Sequence, residues 1–249
     1  MEQAVEIRTP DGVAPATLYW PDGPGAWPAV ILYMDGLGIR PALHDMARRI
    51  AAAGYCALLP DLYYRGGAWT PIDPQEAFGK EGPARERMTR EMGRLSLKVV
   101  AGDSAAFLDF LGQQKQVKGG ARGKVGATGY CMGGAHVLTA AANHPDRIAA
   151  AAAIHSGRLA TDQPDSPHLL APRIKAKVYI GVAGIDPWLA PDETRRVEEA
   201  FAAAKADYRV ELYPGATHGF APSDTPVYDR AASERHWERL LDLFAATLR

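Results

Sequence analysis

The chain has 249 residues, 47% hydrophobic and 23% charged, the balance of an ordinary globular protein with room for a sizeable core. Lys and Arg number 28 against 29 Asp and Glu, so a net charge of −1 offers no basic field to nucleic acid or an anionic membrane surface. Two cysteines, Cys56 and Cys131, are too few for a disulfide framework and fit a reducing, cytoplasmic compartment.

The opening Met1-Glu2-Gln3-Ala4-Val5-Glu6 lacks the basic-then-apolar run of a signal peptide. No stretch reaches the roughly 20 apolar residues of a membrane helix. Ala16–Tyr19 reads as an outer hairpin strand closed by the turn Pro21-Asp22-Gly23-Pro24-Gly25. Ala29–Met34 is the first buried strand. The helix predicted over Pro41–Ala53 puts Leu43, Ala47 and Ile50 on one face and stops at Gly54. Cys56–Pro60 is a second buried strand. Gly66–Arg94, rich in Gly, Pro and charge, reads as a long excursion above a sheet, where substrate-covering loops sit.

Leu95–Gln116 reads as a helix with Val99, Phe107, Leu108 and Leu111 on its core side, followed by a strand at Val125–Thr128 and a helix over Met132–Asn143. Strands at Ala149–Ile154 and Lys177–Val182 come next, then a helix over Asp192–Lys205 and a less buried strand at Tyr208–Tyr213. The last helix, Tyr228–Leu248, repeats Trp237, Leu240, Leu241 and Phe244 at core spacing. Short apolar runs alternating with helical periods predict a mostly parallel sheet of about 7–8 strands with helices on both faces. No linker or repeat divides the chain, so residues 1–249 are expected to form one α/β domain.

Gly129-Tyr130-Cys131-Met132-Gly133-Gly134 lies between a strand and a helix. That is the G-x-nucleophile-x-G elbow with cysteine in place of serine. Bulk at Gly129 or Gly133 would clash where strand and helix converge, and the sulfur would sit at a helix N-terminus whose dipole favours thiolate. The Met132 amide would then point towards a developing oxyanion. The competing reading is a glycine-rich turn around a structural thiol.

Among seven histidines, His218 in Gly215-Ala216-Thr217-His218-Gly219-Phe220 follows a strand and shares the elbow's edge of the sheet. His155 also follows a strand but is the weaker candidate. His136 points away along its helix, His144 reads as a helix-end residue, His236 as solvated, and His44 and His168 as surface or packing residues. For the acid, Asp186 in Gly184-Ile185-Asp186-Pro187 stands at the next strand end, whereas Asp192 and Glu193 suit a helix start. The chain order of cysteine, aspartate and histidine is the one this kind of sheet imposes.

These residues resemble the dienelactone hydrolase (carboxymethylenebutenolidase) family from about Ala29 onward. The anchors are Gly-Tyr-Cys-Met-Gly-Gly at 129–134, Pro60-Asp61-Leu62-Tyr63, Asp186 and His218-Gly219-Phe220. The resemblance implies an α/β-hydrolase fold and a Cys131–His218–Asp186 triad that cleaves an ester or lactone. It further implies a second oxyanion donor at the Gly36 amide and a thiol-contacting acid at Asp35, where the family usually has glutamate. A substrate-binding arginine falls at Arg85, with Arg87 and Arg90 close in register. The family's second arginine falls on Pro222. Tyr63, Tyr64, Trp69, Tyr130 and Trp188 are candidates for the pocket or for the core. No zinc-ligand spacing or phosphate loop is present, so neither metal nor cofactor is expected. The alternatives are a carboxylesterase or thioesterase with another small substrate and a non-catalytic binding protein on the same fold.

Overall fold

A computed structural model describes residues 1–68, 70–79 and 81–249. Its strands are β1 (Glu2–Thr9), β2 (Gly12–Tyr19), β3 (Ala29–Tyr33), β4 (Cys56–Pro60), β5 (Val125–Tyr130), β6 (Ile148–Ile154), β7 (Lys177–Ile185) and β8 (Tyr208–Thr217). They form one sheet in the order β1-β2-β4-β3-β5-β6-β7-β8. From β4 across to β8 every pairing is parallel, and β1–β2 and β2–β4 are antiparallel. The helices are α1 (Pro41–Ala52), α2 (Pro74–Ala77), α3 (Pro83–Met92), α4 (Leu97–Gly112), α5 (Met132–Asn143), α6 (Glu193–Ala203) and α7 (Arg230–Leu248).

Strand β5 shows how both faces are covered. Successive side chains alternate between faces, so Gly126 and Gly129 present opposite sides. A Cβ on Gly126 would lie 2.9 Å from both Phe244 and Leu248 of α7, while one on Gly129 would run into the Gly133 carbonyl of α5. The absence of a side chain at Gly126 and at Gly129 lets one helix settle against each face. Val100, not Val99, is the fully buried valine of α4, beside Phe107, Leu108 and Leu111.

The hairpin differs from the sequence expectation. The Pro21–Gly25 segment does not close it. Instead β2 turns back on β1 through Pro10 and Asp11, with Thr9 opposite Gly12, and its other edge pairs with β4. In β1 only Ile7 and Thr9 are buried, which left too faint an alternation to read. Strands β7 and β8 run beyond Val182 and Tyr213 through a register shift, ending with Ile185 opposite Thr217.

Phe244 is fully buried and meets Tyr55 edge-on as well as the Gly126 backbone. Phe244→Ala should cost about 3–5 kcal/mol by opening a cavity between α7 and the sheet. The denaturation midpoint checks this, and a shift below about 1 kcal/mol would mean that α7 docks through other residues.

Candidate active site

Cys131 sits between β5 and α5 with φ +54° and ψ −118°, a left-handed backbone that L-residues rarely adopt. Its amide donates to the Ile154 carbonyl at 3.1 Å, fixing the turn to β6. A Cβ on Gly133 would lie 2.7 Å from the carbonyls of Tyr33 and Met34, so glycine is required for α5 to start this close to β3. Met132 is the first residue of α5, where amide donors have no partner within the helix.

The register of β7 and β8 supplies the partners. Because Ile185 faces Thr217, the next residues, Asp186 and His218, emerge side by side. The His218 amide donates to Ile185 at 2.9 Å, and its Nδ1 is 2.6 Å from Asp186 Oδ2. The other Asp186 oxygen accepts the Trp188 amide at 2.9 Å. Both side chains are buried, and Cys131 acts on the charge of His218 together with Asp186. Thus the structure brings together the three residues that the chain order selected.

Burial opposes a charge on His218, but Cys131 and Asp186 outweigh it and raise its pKa to about 10. The arrangement favours the protonated form of His218. His155 meets His218 ring to ring at 5.2 Å and is pushed the other way, first by burial and then by the charge on His218. It packs between Tyr130, His218 and Phe220 as an apolar wall.

The loop after β3 is held on several sides. The Asp35 carbonyl accepts the Gly38 amide at 3.1 Å, and the Tyr63 hydroxyl donates to the Gly36 carbonyl at 2.9 Å. Tyr63 is also 3.6 Å from the Met132 sulfur, so one buried phenol touches both residues whose amides could serve an oxyanion. Asp35 departs from the role that the resemblance implies. Its carboxylate takes two bonds from Arg40, at 2.7 and 2.9 Å, and one from the Leu37 amide at 3.0 Å. The short side chain is thereby drawn into an ion pair and a turn. Sequence spacing gave no sign of Arg40, since its other partner, Asp224, is remote in the chain.

Above the loop lie α2 and α3. A Cβ on Gly36 would be 3.0 and 3.2 Å from the sulfurs of Met92 and Met88, and one on Gly219 would be 2.7 Å from Phe78. Arg85 is the arginine brought to the site: it donates to the Gly79 carbonyl at 3.0 Å and lies 5.9 Å from the Trp188 ring centre. Trp188 in turn meets the His218 ring at 4.6 Å. Arg87 bonds the Thr70 carbonyl, and Arg90 pairs with Glu91. Tyr130 is a correction: it is fully buried and its phenol hydrogen-bonds His236 Nε2 at 3.0 Å instead of facing a substrate. His236 is accordingly buried, not solvated, because α7 turns it onto the sheet. Tyr64 bonds Thr9 and Asp103 instead of lining the site, and Trp69 lies outside the described residues.

An elbow, an acid and a histidine in that chain order, at the ends of β5, β7 and β8 of a mostly parallel sheet, mark the α/β-hydrolase class. Within that class the chain belongs to the dienelactone hydrolase family, whose profile matches residues 14–248. It is therefore a hydrolase of ester or lactone bonds. Carboxymethylenebutenolidase of Pseudomonas putida is 25% identical over 246 residues, covering 98% of this chain and 97% of that protein. A relative in Escherichia coli O157:H7 is 30% identical over 227 residues, 90% of this chain and 78% of its own length. In fold the chain is similar to a dienelactone hydrolase-like promiscuous phosphotriesterase from metagenomic libraries. That match has a TM-score of 0.80 at 24% identity, covering 100% of this chain and 99% of the other. Among the described residues, no helix is long and apolar enough to cross a membrane.

The proton held by His218 gives stability a pH signature. Its folded pKa of about 10 lies above the ordinary 6.5, so its contribution is complete below pH 6.5 and lost as pH rises through 10. Thermal melts across that window should show Tm falling in the wild type along a slope that His218→Asn flattens. Parallel curves for the two proteins would reject the assignment.

Proposed function

We propose that the protein hydrolyses a small ester or lactone through a Cys131 acyl-enzyme. The observation that carries this reading is the buried His218, bonded to Asp186 at 2.6 Å on the same sheet edge as a cysteine held on a strained elbow. The Cys131 thiolate attacks the carbonyl carbon, and the Met132 and Gly36 amides receive the oxyanion. His218 gives its proton to the leaving alkoxide as the C–O bond breaks. The neutral ring then takes a proton from water, whose oxygen attacks the thioester. As that tetrahedral adduct collapses, the thiolate departs and the acid product leaves with His218 again protonated. Asp186 keeps the ring in one tautomer throughout. A cytoplasmic setting suits an enzyme that depends on a free thiol.

Arg85 and Trp188 form the substrate-facing side, with Tyr63 beneath it. On the histidine side Pro222 replaces an arginine, and nearby Arg40 has its five N–H groups engaged by Asp35, Asp224 and the Gly38 carbonyl. That commitment favours a substrate with at most one carboxylate, or a neutral ester or thioester, over one needing two cationic clamps.

Cys131→Ala should lower turnover of a chromogenic short-chain ester by about 10³-fold or more, and Asp186→Asn by roughly 10³–10⁴-fold. Wild type that cleaves no ester or lactone, or Cys131→Ala that cleaves as well as wild type, overturns the reading. Arg85→Met should raise KM about tenfold for a carboxylate-bearing ester and leave that of its neutral analogue within about twofold. Equal changes for both esters would remove Arg85 from substrate recognition.

A further inference from the structure

We propose that Arg40 is a positioning residue, holding the candidate oxyanion loop in register with the loop that carries His218. This rests on the acyl-enzyme reading and assigns a part of the chain that the mechanism leaves unused. Arg40 precedes α1 and is only 2% exposed. Towards the oxyanion loop it donates Nη1 to Asp35 Oδ1 at 2.7 Å and to the Gly38 carbonyl at 3.2 Å, and Nη2 to Asp35 Oδ2 at 2.9 Å. Towards the histidine loop it donates Nε to Asp224 Oδ2 at 2.7 Å and Nη2 to Asp224 Oδ1 at 3.1 Å. Asp224 begins where Thr225 ties back to the Gly219 carbonyl at 2.8 Å, next to His218.

The peptide plane makes this anchoring specific. The Asp35 carbonyl and the Gly36 N–H belong to one planar unit and point in opposite directions. With that carbonyl turned to the Gly38 amide, the Gly36 N–H faces the other way. Tyr63 fixes the following carbonyl, and Arg40 fixes the Asp35 side chain and the Gly38 carbonyl. The remaining freedom of the loop is rotation about Asp35, which a bidentate guanidinium resists and a single ammonium does not. His218 needs no such help, since the strand ends and Asp186 already fix it. Loss of the fork should therefore loosen the amide donor and spare the thiolate.

Three readouts on Arg40→Lys and Asp224→Asn separate these effects: single-turnover acylation of Cys131 by a p-nitrophenyl ester, its alkylation by iodoacetamide, and amide exchange over residues 34–39. Acylation uses the oxyanion donors, whereas alkylation needs only the thiolate. Acylation should fall roughly tenfold to a hundredfold, alkylation should stay within about twofold, and exchange over 34–39 should quicken. Asp224 is 32% exposed, and Asp224→Asn leaves Arg40 balanced by Asp35, so this variant carries the test if Arg40→Lys does not fold. Equal losses in acylation and alkylation, or acylation and exchange both unchanged, would overturn the role. If wild type is not acylated but exchange still quickens in the variants, the anchoring stands and the hydrolytic reading fails. If wild type is acylated and the variants match it, the reverse holds.

Discussion

The site depends on the lateral pairing of strands, because Cys131, Asp186 and His218 each come from a different strand end. Parallel neighbours in register leave their carboxyl ends level, and each contributes the residue that follows. Tyr33 opposite Gly129, Tyr130 opposite Ile154 and Ile185 opposite Thr217 set the positions of the Asp35 loop, Cys131, His155, Asp186 and His218. A slip of one residue in β8 would turn His218 to the other side of the sheet. The long pairing of β7 with β8, carried through a register shift, thus matters more to the chemistry than any individual contact in the core.

Within that frame, electrostatics settles which groups carry charge. His218, His155 and His236 are all buried, and desolvation pushes each towards neutrality. Only His218 has a carboxylate on one nitrogen and a sulfur on its other side, and there the partners prevail. His155 and Trp188 pack their rings against it. Arg40 shows the same logic with opposite sign: two carboxylates compensate a cation that could not be buried alone.

The elbow was legible in the sequence because its geometry demands glycines at fixed offsets, and the structure places backbone carbonyls where their side chains would be. His218 and Asp186 were legible as residues following apolar runs. Tyr130 was not, since adjacency to Cys131 suggests the pocket while strand alternation sends the phenol to His236. Asp35 and Arg40 were illegible for another reason. Their ion pair includes Asp224, and a contact across that much chain leaves no periodicity or spacing to read. The first strand escaped notice because an edge strand with one wet face carries little apolar pattern.

The covering segment and the loop after β3 share a small apolar cluster, in which Leu37, Ile72 and Ala77 are buried against Phe78, Ala84 and Met88, separate from the main core. So few buried side chains contribute little apolar burial compared with the main core. The roof over the reacting centre therefore rests on a few side chains packed directly on the loop that carries Gly36, and not on the packing of the main core.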